Sequence, residues 1–329
     1  MSMLKKYWIL TIAILITIGA IIIIDIGNPK SSIKLENKFQ IDDPSLITKI
    51  FLADRNGNTI TLKKLANSWI VNDTFIVRED AIKTILSTAR KIRINKPVSN
   101  AAFENVMKYM ATTGISAEFF TEEKMVKSYT IGSNTSDHLG TYMLLKDSKR
   151  PFIVHIPSFN GFLSPRYGIQ GNTLDITNWR SHIVFKLAKD SIKQIKYTDL
   201  LNKENSFLLT AKPLELFNSE KELLPINKQK TLTLLNNFKS LSCETFKKDK
   251  AKIKDAIQLE ELVVNTDTLR TYSISNKTNA KSKEKNYTVS RKYATLNNGD
   301  LMLIQDYVFN KVLINISELT TKKTITSRR

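Results

Sequence analysis

Two stretches of the chain place apolar residues at helical spacing. Ile85, Leu86, Ala89 and Ile92 form one stripe, and Leu234, Leu235, Phe238 and Leu241 form another; each predicts an amphipathic helix packed on a sheet. Around them run short segments of alternating polarity. Ile60 and Leu62 face one way and Thr59, Thr61 and Lys63 the other, after a turn closed by Asn56-Gly57. Asn297, Asn298 and Gly299 predict a turn in the second half. A further helix is expected from the N-cap Ser99 to the stop at Gly114, with Phe103, Val106, Met107 and Met110 on one face.

The same order of elements occurs twice, which points to an internal duplication. Ile47 and Ile50 correspond to Ile192 and Ile195, and the two helical stripes to each other. Lys127, Ser128, Tyr129, Thr130 and Ile131 correspond to Arg270, Thr271, Tyr272, Ser273 and Ile274, Tyr142 to Tyr293, and Phe159, Asn160 and Leu163 to Phe309, Asn310 and Leu313. The expected fold is α+β: an N-terminal transmembrane helix followed by two tandem repeated modules of mainly antiparallel sheet with packed helices. The boundaries are a membrane anchor over 1–27, a first module over 28–163, a junction over 164–190, a second module over 191–318 and a basic tail over 319–329.

The anchor rests on a run of 17 uncharged residues that starts at Trp8 and ends at Ile24, between Lys5, Lys6 and Asp25. A cleaved signal peptide is the alternative, with Thr17 and Gly19 at cleavage spacing. Cutting there leaves Ile21 to Ile24 exposed, so an uncleaved anchor in the lipid bilayer is preferred. Lys30, Lys34 and Lys38 balance the two lysines before the run, and the positive-inside count does not decide orientation. A short basic head before a large folded part reads as a single-pass signal anchor in the inner (cytoplasmic) membrane, with the bulk of the chain in the periplasm.

Charge changes this picture little. Fifty Lys and Arg against 31 Asp and Glu give +19, but the lysine runs at 247–254, 281–285 and 322–323 are not interleaved with aromatics, so nucleic acid is not the expected partner. Cys243 is the only cysteine and is expected as a buried small apolar residue, with no disulfide. His138, His155 and His182 show no metal-ligand spacing. Asp137, His138 and Ser158 could be assembled into a hydrolytic triad, but no Gly-x-Ser-x-Gly elbow surrounds Ser158, and Gly168 and Gly171 make no phosphate loop. No catalytic residue, metal or cofactor is expected. The junction is denser in aromatics, arginines and turn formers than the rest; Phe159, Arg166, Tyr167, Trp179 and Arg180 are its candidate partner-binding residues. Docking the two modules together is the alternative role for them, and the preferred one.

Ile47, Ile50, Gly57, Leu62, Trp69 and Asn72, then Arg78, Asp80, Ala81 and the helix to Ile92, then Pro97 and Val98, together resemble the domain-of-unknown-function family 4340. The stretch 152–157, with Phe159, Gly161, Pro165, Arg166, Tyr167, Trp179 and Arg180, resembles its bacterial, single-anchor branch. The resemblance implies a bacterial envelope protein associated with ABC-type transport or gliding-type permeases, and brings no activity and no catalytic residues. The second copy has Leu214 to Phe217 where Trp69 would fall. The expectation is therefore a membrane-anchored, non-enzymatic interaction or accessory subunit of a transport or motility complex. An envelope enzyme acting on a glycan or lipid head group, and a polyanion-binding module, are the alternatives.

Overall fold

A computed structural model describes residues 16–18, 36–274 and 290–321. The chain divides into two compact units at Ser181/His182. In the first, strands β1 (Lys49–Ala53), β2 (Thr59–Lys64), β3 (Trp69–Val71) and β4 (Phe75–Ile76) precede helix α1 (Glu79–Lys91). Strand β5 (Arg93–Pro97), helix α2 (Asn100–Thr113), β6 (Ile115–Phe120), β7 (Met125–Asn134), β8 (Thr141–Leu145) and β9 (Phe152–His155) follow. They form one nine-stranded sheet in the order β4-β3-β2-β1-β6-β7-β8-β9-β5. Every neighbouring pair is antiparallel.

That order makes α1 the connection between opposite edges of the sheet, so its apolar stripe lies across one face. Ile82, Ile85, Ala89 and Ile92 are buried in one cluster with Ile50, Leu52, Leu62, Phe119, Tyr129 and Val154. Glu79 and Asp80 in the first turn and Arg90 and Lys91 in the last complement the helix dipole. On the opposite face α2 covers a smaller cluster, Val98, Val106 and Met110 against Tyr142, Leu144 and Ile153. Gly114 ends α2 without a left-handed turn. A Cβ there would lie 2.5 Å from Met110 O and 2.6 Å from Thr130 Cγ2, so close approach of helix and sheet is what requires glycine.

The second unit begins with β12 (Ile183–Phe185) and continues through β13 (Gln194–Asp199), β14 (Phe207–Ala211), β15 (Leu214–Asn218) and β16 (Leu223–Leu224) to α3 (Lys228–Asn237). Then come β17 (Leu241–Ser242), β18 (Thr245–Lys247), β19 (Gln258–Val264), β20 (Asp267–Tyr272), β21 (Arg291–Leu296) and β22 (Leu301–Gln305), ending in one-turn helices α4 (Asp306–Phe309) and α5 (Ile316–Leu319). Its nine-stranded sheet has the order β16-β15-β14-β13-β19-β20-β21-β22-β18, the order of the first. Strand β12 pairs separately with β17.

The correspondence runs past the sheets. Ile41 N donates to Ala89 O and Leu187 N to Phe238 O ahead of β1 and β13, the first strands of the two nine-stranded sheets; Arg78 N donates to Trp179 O and Asn227 N to Leu319 O at the end. The bridges Val77 to Arg180 and Ile226 to Thr320 are likewise equivalent. Residues 164–181, read from sequence as the greater part of a junction, thus complete the first unit, just as 306–321 completes the second.

Several expectations are corrected. The described chain is mostly antiparallel sheet with few helices, in two nine-stranded sheets, rather than the expected α+β fold led by a transmembrane helix, because one crossing helix covers a face of each sheet. No helix among the described residues is long and apolar enough to cross a membrane. The transmembrane helix, the signal anchor and the single-pass inner-membrane placement are therefore not supported. Of the run from Trp8 to Ile24 only residues 16–18 are described; the rest lies outside the described residues. So does the tail beyond 321, whereas Leu319 is buried in the second core. Register also corrects one repeat assignment. Ala117 pairs with Tyr129 as Leu262 pairs with Leu269, so Tyr129 corresponds to Leu269, three residues before Tyr272.

Candidate functional site

The shared architecture shows what the first unit adds. From Phe159 to Trp179 its chain is ten residues longer than the equivalent path from Phe309 to Leu319. The extra length forms a short 3-10 turn at Ser164–Tyr167 and a hairpin of β10 (Ile169–Gln170) and β11 (Thr173–Leu174). Pro165 sits at the start of the turn, and Gly168 and Gly171 take φ of +67° and +63°, which glycine alone adopts without strain. A Cβ on Gly168 would also lie 2.7 Å from the Trp179 indole.

This insertion is fastened to the sheet at several points. Leu163 N donates to Thr141 Oγ1 at 2.8 Å, and Leu174 N to Asp54 Oδ2 at 3.1 Å. The Tyr167 and Tyr129 hydroxyls share a buried hydrogen bond of 2.9 Å, and burial pushes both phenols far above the ordinary range, so both stay neutral. Helix α2 is the second addition; where it would fall, the second unit has only a 3-10 turn at Lys250–Ile253.

Between α2, the end of β7 and the insertion lies an open cavity of about 600 Å³, a size typical of ligand sites. Tyr109 Oη donates to Asn172 Oδ1 at 2.7 Å and ties one wall to the other. Ser164 Oγ donates to Asn134 Oδ1 at 3.3 Å across the floor. The lining contains no charged residue, although a quarter of the chain is charged. The amide nitrogens of Asn134 and Asn172 and the whole Gln170 amide have no partner among the described residues, and the half-buried rings of Tyr109 and Phe162 supply apolar surface. A smaller cavity of about 240 Å³ lies across Pro165, Ile169 and Gln170, lined by Arg78, Thr84, Arg166 and Asn178.

The residues singled out from sequence divide between core and rim. Tyr167 and Trp179 are buried at 0% and 1% exposure and hold the first unit together. Phe159, Arg166 and Arg180 are half-buried. Arg166 Nε donates to Thr88 Oγ1 at 2.7 Å with its guanidinium 5.1 Å from the Phe159 ring, and Arg180 stacks 3.9 Å over Phe75. None of the five lines the larger cavity. Its residues were missed because they come from three separated stretches and share no local pattern; the Gly171-Asn172 turn was the one visible signal.

The hydrolytic assembly does not form. The Asp137 carboxylate accepts from Thr135 Oγ1 and Leu139 N, the His138 ring lies 6.2 Å from Phe162, and His155 sits in β9 opposite Arg93. Among the described residues no group of three or more His, Cys, Asp or Glu could hold a metal. Cys243 is buried.

At the same end of its inner face the second unit carries charge. Register equates Ile115, Ile131, Thr141 and Ile156 with Glu260, Thr271, Lys292 and Asp306. Lys292 Nζ lies 2.7 Å from Glu260 Oε1 and 3.9 Å from Asp306 Oδ1, and Thr271 Oγ1 donates to Glu260 Oε2. Beside them the Tyr197 phenol is pushed up, by burial first and then by Glu260 and Asp199. No family model, curated protein or solved structure matches the chain.

Proposed function

We propose that the protein is a non-enzymatic binding protein whose ligand sits in the groove between α2 and the 162–174 insertion. The observation that carries this reading is the comparison of the two units. The second completes the same nine-stranded sheet and its own core without either wall of the groove. Both additions therefore lie outside the architecture that the two units share, and they meet across a Tyr109–Asn172 hydrogen bond with uncharged amides facing the groove. Pockets of this size with a few convergent polar groups are the usual form of a ligand site.

The test is to purify the chain from its own cells and compare it with Ser133→Trp and Thr113→Trp, which fill the groove from β7 and from α2. Native mass spectrometry should find a species retained by the wild type and lost from both variants, with unfolding temperatures unchanged. The same species on all three proteins would show that the groove is not the seat of binding.

A further inference from the structure

Resting on that reading, we infer that the groove binds a neutral saccharide. Its lining offers an ionic ligand no counter-charge, which favours a neutral one. The available groups are amides and hydroxyls. A side-chain amide offers donors and an acceptor together, and a sugar hydroxyl does the same, so Gln170, Asn134 and Asn172 can each satisfy a hydroxyl in both directions. Asn134 and Asn172 already spend their carbonyl oxygens on Ser164 and Tyr109, which fixes the amide planes and aims the nitrogens as donors.

The half-buried Tyr109 and Phe162 rings match the second property of a pyranose, its apolar C–H faces. A polypeptide is the competing neutral ligand, and the strand arrangement disfavours it. Strand β7 runs between β6 and β8, and only Gly132, Ser133 and Asn134 extend past the end of β6 at Ile115, too few to template an added strand.

The experiment titrates the full-length chain by calorimetry with neutral hexasaccharides of glucose, mannose, galactose and N-acetylglucosamine, with polygalacturonate as an anionic control, and screens a displayed heptapeptide library in parallel. At least one neutral saccharide should bind. Its affinity should be unchanged between low and high salt, weakened roughly tenfold by Gln170→Ala and by Asn172→Ala, and abolished by Ser133→Trp. Unfolding temperatures of all variants confirm that folding is retained. Failure of every neutral saccharide, or binding confined to polygalacturonate, overturns the inference. If the species retained in native purification is still lost from Ser133→Trp, the groove stands and only its ligand class fails. Peptides that compete for the groove likewise replace the saccharide. A saccharide bound equally by wild type and Ser133→Trp overturns the groove itself.

Discussion

Asp54 ends β1 and is buried. Its carboxylate accepts from Asn56 N, Asn58 N, Asn58 Nδ2 and Leu174 N, so one side chain closes the first hairpin and fastens the groove insertion. Burial by itself would raise its pKa, but these hydrogen bonds hold it below the usual carboxylate range. A depressed folded-state pKa contributes stability above the unfolded value of about 4, and that stability is lost as pH falls through the folded value. Asp54→Ala should therefore cost about 3 kcal/mol at pH 7, and urea midpoints of the variant should fall less than those of the wild type as the pH is lowered to 3. Asp199 ends β13 in the same place and accepts from Leu201 N, Asn202 N and Asn205 Nδ2, a repeated device that the differing turn lengths hid from sequence. A second test concerns Tyr129 and Tyr167. Tyr167→Phe leaves the Tyr129 hydroxyl buried without a partner and should cost about 1–2 kcal/mol, whereas adding Tyr129→Phe should recover part of the loss in a double-mutant cycle.

Among the elements, the crossing helices were the most legible and the sheets the least. The buried positions of α1 and α3 follow the apolar stripes, Ile85 with Leu234 and Ala89 with Phe238, because helical periodicity is local, although Leu86 is only half-buried, and α3 stops at Asn237 with Phe238 as its cap and Leu241 already in β17. Sheet order was hidden because β1 pairs with β6 across more than sixty residues, and Tyr129 was misassigned because the β19–β20 hairpin turn is shorter than the β6–β7 turn, which shifts the sequence offset between the two units. The charged inner face of the second unit was hidden for the same reason: Glu260, Lys292 and Asp306 meet only through strand pairing. Its energetics can be tested by exchange between the units. Lys292→Met should cost about 3–5 kcal/mol, since it leaves Glu260 largely buried without its counter-charge. The triple exchange Glu260→Ile, Lys292→Thr and Asp306→Ile, which installs the residues of the first unit, should be close to neutral or stabilising in urea denaturation. A loss of several kcal/mol in the triple variant would show that the charges support the fold in a way their counterparts do not.

For the whole molecule, the division at Ser181/His182 makes the strongest claim. Each unit closes its own hydrogen-bond pattern from the Ile41 or Leu187 amide at one end to the Arg78–Trp179 or Asn227–Leu319 pairing at the other. Each also buries a separate apolar cluster, and each is of ordinary domain size. The sequence showed the repeat but placed the boundary wrongly for a physical reason. Aromatics, arginines and glycines concentrated in 159–180 resemble a docked linker, whereas Leu163, Tyr167, Ile169, Leu174 and Trp179 are core residues of the first unit. Fragments 36–181 and 182–321 should therefore each fold alone, with one cooperative unfolding transition in calorimetry and dispersed amide resonances. Fragment 36–181 should keep the groove, since every residue lining it lies within that span. A fragment ending at 163 should fail to fold, because it lacks four of the side chains that close the core. If 36–163 folded and 36–181 gained nothing from the added residues, the insertion would be a linker after all, and the groove would lose the wall on which its function depends.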